Sequence, residues 1–349
     1  MIKLSSLQDK LSKYKSKKIN DKFIFWDNYS DIQDDMIEVN QIILNHIKHI
    51  NGVMGDALSD TFSTPGKMLR PAFVMLFSEF NEPTIKKRQQ LLNLAASVEM
   101  LHNATLIHDD IIDESDMRHG QPSIQAKYGK HIAVYAGDYL FAVSLNILSH
   151  NAKDLSSVKR DSKTMEEILL GETQQYDSAY DINISIKQYL EHIKGKTGVL
   201  FGLACLLGSY ESGSNLTSAL KAKKFGEVLG QAFQIRDDIL DYSTNAKDFK
   251  KPVLLDVKDG VYSAPLIYAL QKDQNNQLHN LVKYENNLTK EQLEQIDQLV
   301  KEYGGVASAT KLADEYTNKA IKYLRKNWPA GSTRDQIEEL THQLLDRKY

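Results

Sequence analysis

Apolar residues recur through most of this chain at the three-and-four spacing of a helix, and no run alternates as a half-buried strand would. Only 7 prolines and 18 glycines interrupt 349 residues, so the helices are expected to be long. The spacing predicts helices over residues 31–58, 67–80, 85–113, 132–149, 156–180, 186–209, 216–242, 263–270, 290–325 and 334–347. Turn chemistry falls between them, at Ser63-Thr64-Pro65-Gly66, at Asn81-Glu82-Pro83 and over the polar stretch 245–260 with Pro252. Residues 91–107 and 199–207 are apolar on most faces, which suits helices at the centre of a bundle. No low-complexity linker and no fixed repeat period divides the chain. The expectation is one all-α domain over residues 1–349, a single large helical bundle.

Several function classes drop out. The formal net charge is −3, so no global positive field would gather nucleic acid. The single cysteine, Cys205, cannot form an intramolecular disulfide and sits in an apolar run as a small core residue, which fits a reducing cytoplasm. The basic N-terminus has no apolar core or cleavage site of a secretory signal. The longest unbroken apolar stretch, 199–207, is far below the ~20 residues of a membrane span. Any membrane contact is expected to be peripheral.

One short pattern occurs twice. Ile107-His108-Asp109-Asp110-Ile111-Ile112-Asp113 and Ile235-Arg236-Asp237-Asp238-Ile239-Leu240-Asp241 share the form apolar, basic, Asp, Asp, apolar, apolar, Asp. On a helix, residues four apart share a face, so Asp109 projects with Asp113 and Asp237 with Asp241. Like charges this close destabilise a helix unless something positive offsets them. Mg²⁺ is the natural candidate, since it takes hard oxygen ligands and completes its shell with waters and substrate phosphates. A single copy reads best as a solvated acidic face. Two near-identical copies, each ending an apolar helix, read better as paired metal clusters facing each other across a bundle.

A phosphate-bearing substrate also needs fixed cations. Lys67 and Arg70, in Gly66-Lys67-Met68-Leu69-Arg70-Pro71, are expected three apart on one face of a helix start, where backbone N–H groups favour anions. Arg118-His119-Gly120 follows the first cluster, Lys196-Thr197-Gly198 interrupts a helix, and Lys250-Lys251-Pro252 follows the second cluster. Each alone reads as a solvated surface cation; their placement around both clusters carries the weight. His102 lies two turns before Asp109, where a histidine is more often a core residue than a ligand.

Together these motifs resemble the trans-isoprenyl diphosphate synthase family, also called polyprenyl synthetases. The resemblance runs from about Gly66 to about Leu270 through Gly66-Lys67-x-x-Arg70-Pro71, His108-Asp109-Asp110-x-x-Asp113, Arg118-x-Gly120-x-Pro122, Gly171-Glu172, Lys196-Thr197, Gln234-x-x-Asp237-Asp238-x-x-Asp241, and Lys251-Pro252 with Asp256 and Gly260. It implies an all-α bundle around a deep central cavity, a homodimer, and Mg²⁺, three ions to a site, as cofactor. It implies an allylic diphosphate and isopentenyl diphosphate as substrates. Asp109, Asp113 and Asp237 match the principal metal ligands, with Asp110, Asp238 and Asp241 in support. Arg118, Lys196, Gln234 and Lys251 match positions that hold the allylic diphosphate. Gly66, Lys67, Arg70 and His102 match the isopentenyl diphosphate site, as does the position of His119, where the family usually has a second arginine. Met68 also departs from a common arginine. Thr197 and Gln234 are candidates to steady the allylic cation, and no side-chain base is required.

Large aromatic residues four or five positions before the first aspartate give short products in the family; here those positions are Thr105 and Ala104. The resemblance therefore implies a medium or long product, such as a quinone side-chain precursor. Alternatives are the catalytic subunit of a two-component synthase, inactive without a small regulatory partner, or a short-chain geranylgeranyl synthase. A non-catalytic regulatory subunit fits poorly because both clusters are intact. A terpene cyclase fits poorly because the second cluster is not an Asn/Ser/Glu metal motif.

Overall fold

The computed structural model describes residues 21–118, 120–242, 254–283 and 287–345, with the side chains of residues 21, 22, 172 and 174–177 excepted. His119, Lys251 and the side chain of Glu172 lie outside the described residues. The all-α expectation holds: one antiparallel pair of two-residue strands, β1 (Met117–Arg118) and β2 (Gln121–Pro122), is the extent of sheet among the described residues. By contact the chain divides into two compact units, residues 1–160 with 204–219 and residues 161–203 with 220–349.

The first unit is built around α4. Helix α1 (Ser30–Ile47) buries Ile32, Met36, Val39, Ile43 and Ile47, a single stripe at helical spacing. It is followed by α2 (Val53–Ser63), α3 (Leu69–Ser78), α4 (Ile85–Ile112), α5 (Ile124–Tyr128) and α6 (Lys130–Asn151). Thr84 caps α4 by accepting the Lys87 backbone N–H. From Leu94 to Leu101 every residue of α4 is buried, as its all-round apolar sequence predicts, and it packs against α1, α3 and α6. Helix α6 is long and apolar enough to cross a bilayer by length and composition alone, although no unbroken apolar run marks it in sequence. Ala133, Ala136, Gly137, Leu140, Ser144 and Ile147 are its buried face.

Two predicted helices of this unit change. The span 31–58 is broken between α1 and α2, where Gly52 takes φ 75° and Gly55 lies so close to the Ile50 carbonyl that a Cβ would stand 2.0 Å from its oxygen. The helix expected from Lys67 begins instead at Leu69, because Met68 adopts φ 51°. Met68 is 3% exposed while its neighbour Lys67 is exposed, and the left-handed residue makes that abrupt reversal of environment.

The second unit holds most of α7 (Leu155–Asp177), then α8 (Ile186–Ile193), a π-helical turn (Lys194–Gly198), the start of α9 (Val199–Ser212) and most of α10 (Leu216–Leu240). It continues through α11 (Leu255–Lys258), α12 (Ala264–Leu270), α13 (Gln277–Val282), α14 (Lys290–Glu302), α15 (Gly305–Asn327) and α16 (Ser332–Leu345). The helix expected over 290–325 is interrupted by Gly304 at φ 69°, which lets α15 turn back onto α12. Ser185 and Gln188 close a reciprocal capping box at the head of α8. Ile235, Ile239, Tyr242, Tyr189, Leu266, Ile267, Ile296 and Val300 belong to its apolar core. Helices α9 and α10 approach closely: a Cβ on Gly230 would stand 2.7 Å from the Gly198 Cα and 3.1 Å from the Thr197 carbonyl oxygen. Cys205 is fully buried and burial pushes its thiol up, as a core residue requires.

Candidate active site

The first aspartate cluster ends α4. Its middle member, Asp110, is 4% exposed, and one of its oxygens accepts Arg118 Nε at 3.0 Å and Nη2 at 2.6 Å. Arg118 stands on β1, so this pair ties the strand hairpin to the helix end. The Ser123 hydroxyl, 2.6 Å from the Ser115 carbonyl, and the Gln125 amide, 2.8 Å from it, hold the same loop. Asp109 is half-buried and Asp113 is exposed. One residue earlier, His108 turns to α6. Its Nε2 lies 3.4 Å from an Asp138 carboxylate oxygen, and its ring stacks on Phe141. The ring occupies a notch that only glycine leaves: a Cβ on Gly137 would stand 2.3 Å from His108 Nε2.

The second cluster repeats this arrangement with different partners. Asp238 is 6% exposed; one oxygen accepts the Tyr189 hydroxyl at 2.6 Å and the other accepts Gln234 Nε2 at 2.8 Å. Gln234 Oε1 in turn accepts the Thr197 hydroxyl at 2.7 Å. Burial pushes Asp238 up to about 7 against the pull of those two donors. The basic residue preceding this cluster, Arg236, pairs with Asp314 on α15 at 2.5 Å. In both copies, then, the residue before the first aspartate and the one after it are tied to the scaffold. Asp109 with Asp113, and Asp237 with Asp241, keep the exposed or half-buried positions.

The donor set suits a hard divalent cation. Although Asp241 reaches solvent, partial desolvation by the surrounding protein and then the charges of Asp256 and Asp237 raise its carboxyl to about 7. Carboxylates that raise one another in this way are relieved by a cation. Among the described residues no three carboxylate or histidine side chains converge tightly enough to enclose a metal by themselves. Mg²⁺ does not demand this, because it keeps waters and substrate phosphates in its shell.

The expected basic residues are placed unequally. Arg70 Nη1 lies 2.9 Å from His102 Nε2. Guanidinium can only donate, so this histidine nitrogen accepts and the ring proton sits on Nδ1. Behind them Glu99 is buried, its carboxyl raised to about 7 by burial and drawn down by Arg70 and Asn103. Lys67 is not on the helix with Arg70, contrary to the expected shared face. Its carbonyl accepts Trp26 Nε1 at 2.8 Å and its ammonium lies 5.0 Å from the centre of the Phe25 ring. Gly66 is exposed, with open space where a side chain would be. Lys196 is half-buried in the π-helical turn, and Thr197 beside it is 5% exposed. Such turns mark functional sites in many helices. Sequence reading did not single out Tyr189 or Glu99 and named Asp256 only within a motif. Tyr189 is 49 residues from its partner and carries no local signal.

An all-α chain with two scaffold-anchored DDxxD clusters is the signature of prenyl transfer, and comparison bears this out. The polyprenyl synthetase family pattern matches residues 52–302, and the chain belongs to that family. It is a prenyltransferase, similar to named chain-elongating synthases. Heptaprenyl diphosphate synthase component 2 of Bacillus subtilis (strain 168) is 31% identical over 322 residues, which are 92% of this chain and 90% of that protein. The geranylgeranyl pyrophosphate synthase of Lactobacillus brevis ATCC 367 superposes with a TM-score of 0.86 at 35% identity, covering 93% of this chain and 99% of that one. A polyprenyl synthase from Caulobacter crescentus CB15, solved with calcium and isoprenyl diphosphate, gives a TM-score of 0.83 at 25% identity, covering 95% of this chain and 98% of that one.

Proposed function

We propose that this enzyme extends an allylic diphosphate, farnesyl or geranylgeranyl diphosphate, with successive isopentenyl diphosphate units to a medium or long all-trans product. The observation that carries the proposal is the doubled cluster, in which a buried aspartate is anchored to the scaffold while its neighbours remain presented. Asp109, Asp113, Asp237 and Asp241 would hold Mg²⁺, and Asp110 and Asp238 would support them from behind. Bound there, Mg²⁺ would neutralise charge on the departing diphosphate; the Caulobacter polyprenyl synthase was solved with a divalent cation, calcium, and isoprenyl diphosphate. Arg118 and Lys196 would grip the allylic diphosphate, and Arg70, His102 and Lys67 the isopentenyl diphosphate. As the carbon–oxygen bond opens, the oxygens of Thr197 and Gln234 would face the allylic cation, and the isopentenyl double bond would attack it. The released diphosphate would take the proton lost in forming the new double bond.

Product length rests on α4. Ala104 is 0% and Thr105 6% exposed, so the two positions expected to plug a short product carry small, buried side chains. Ala104→Phe should therefore shorten the product by one or more units; an unchanged product would refute the plug. The enzyme alone, given farnesyl diphosphate, labelled isopentenyl diphosphate and Mg²⁺, should yield a long labelled chain. The likeness to a component 2 supports a second reading, in which a small partner subunit is required. Activity restored only by an added partner would favour it, and a cyclised product lacking label would overturn both.

A further inference from the structure

The hydrogen bonds of the second cluster have a direction. When Asp238 is ionised its carboxylate only accepts, so both of its partners donate to it. Tyr189, 3% exposed, gives its hydroxyl proton to one oxygen and accepts the Ala264 backbone N–H at the head of α12. Gln234 must turn Nε2 to the other oxygen at 2.8 Å, which leaves Oε1 facing Thr197 at 2.7 Å. Thr197 has one hydroxyl proton, and it goes to that oxygen. Every remaining valence on Thr197 Oγ1 and Gln234 Oε1 is then a lone pair.

We propose that Tyr189 and Asp238 are positioning residues that set the polarity of this relay, so that Thr197 and Gln234 present oxygen lone pairs to the cation formed during prenyl transfer. The inference rests on the prenyl-transfer reading and adds to it two residues that touch no reacting atom. It also explains why a tyrosine hydroxyl is buried against the second cluster. Without the donor at Oδ2, Asp238 is held less firmly; without a carboxylate at 238, nothing forces the Gln234 amide to keep its orientation. An amide reversed at Gln234 would aim N–H groups at a positive charge.

The test uses Tyr189→Phe, which keeps the ring, and Asp238→Asn, which keeps the shape, both checked by circular dichroism. Two ligands are titrated calorimetrically at pH 8 with Mg²⁺: a tertiary-ammonium analogue of the allylic cation with diphosphate, and an allylic thiolodiphosphate, which has no positive centre on its allyl group. Each variant should weaken the ammonium analogue about tenfold or more, the scale of one buried hydrogen bond to a charged group, and hold the thiolodiphosphate within about twofold. The kcat should fall in parallel while the KM for isopentenyl diphosphate stays put. Equal loss for both ligands, with a raised Mg²⁺ requirement, would make Asp238 a metal ligand and overturn the proposal. An unchanged preference between the ligands would overturn it too. If the wild type turned over no allylic substrate and bound neither ligand, the prenyl-transfer reading would fall, and this inference with it.

Discussion

At the scale of single residues, local spacing made the aspartates legible and left their partners hidden. Positions four apart on one helix announce a shared face, so Asp109, Asp113, Asp237 and Asp241 could be read directly. Tyr189 and Glu99 acquire meaning only through tertiary contact, and no local pattern carries that. If the clusters hold the metal, Asp109→Ala should lower kcat by orders of magnitude, because one carboxylate of a transition-state charge clamp is lost; near-normal turnover in a steady-state assay would remove Asp109 from the site. Glu99 makes a separate prediction about stability. Its folded pKa of about 7 lies above the ordinary 4.5, so the folded state holds the extra proton between those values. A raised carboxyl stabilises the fold fully below the unfolded value, and that contribution fades as pH climbs to about 7. Glu99→Gln removes the titration. Relative to wild type, its metal-free unfolding free energy should rise through this window and level off above it, at up to roughly 3 kcal/mol. Parallel pH curves for the two proteins would show that Glu99 ionises normally.

At the scale of elements, periodicity located the long helices, passed over the short ones α5, α11 and α13, of which α11 lies in the stretch expected as a loop, and missed most of the breaks. Apolar spacing is unchanged across Gly52 and Gly304, so 31–58 and 290–325 read as continuous. Met68 gave no warning, since methionine has no preference for left-handed backbone, yet its φ of 51° moves the start of α3 to Leu69. The interruption expected at Lys196-Thr197-Gly198 is real but subtler than a loop: the chain stays helical and widens to a π turn. That turn is positioned by contact, because Gly198 lies backbone to backbone against Gly230. Gly230→Ala places a methyl group where no flexible side chain can yield, and overpacking of this kind costs about 1–3 kcal/mol or more. We expect a lower melting temperature and, because Thr197 belongs to the displaced turn, a larger fall in kcat than in affinity for isopentenyl diphosphate. A stability loss with wild-type kcat would mean that Thr197 needs no such support.

For the molecule as a whole, the open question is what covers α6. Its inner face packs in the first unit, yet Val134, Tyr135 and Leu145 remain 41%, 64% and 42% exposed. Round the helix Val134 and Leu145 lie about 20° apart, Tyr135 lies about 100° from Val134, and the exposed Asp138 stands on the same side as Val134 and Leu145. Three exposed large hydrophobics on one helix, with the single carboxylate of Asp138 among them, are a candidate surface for association. The homodimer expected from the family resemblance supplies a partner of matching chemistry, because two copies related by a twofold axis would lay the same surface on itself. Replacing Val134 and Leu145 together by glutamate would place four carboxylates in such an interface, and sedimentation at micromolar concentration should then report a monomer. Neither residue points into the buried face of α6, so the variant's helical circular dichroism should match wild type. A dimer that survives both substitutions would place the interface elsewhere. Loss of the dimer with turnover retained would show that each chain completes its own active site.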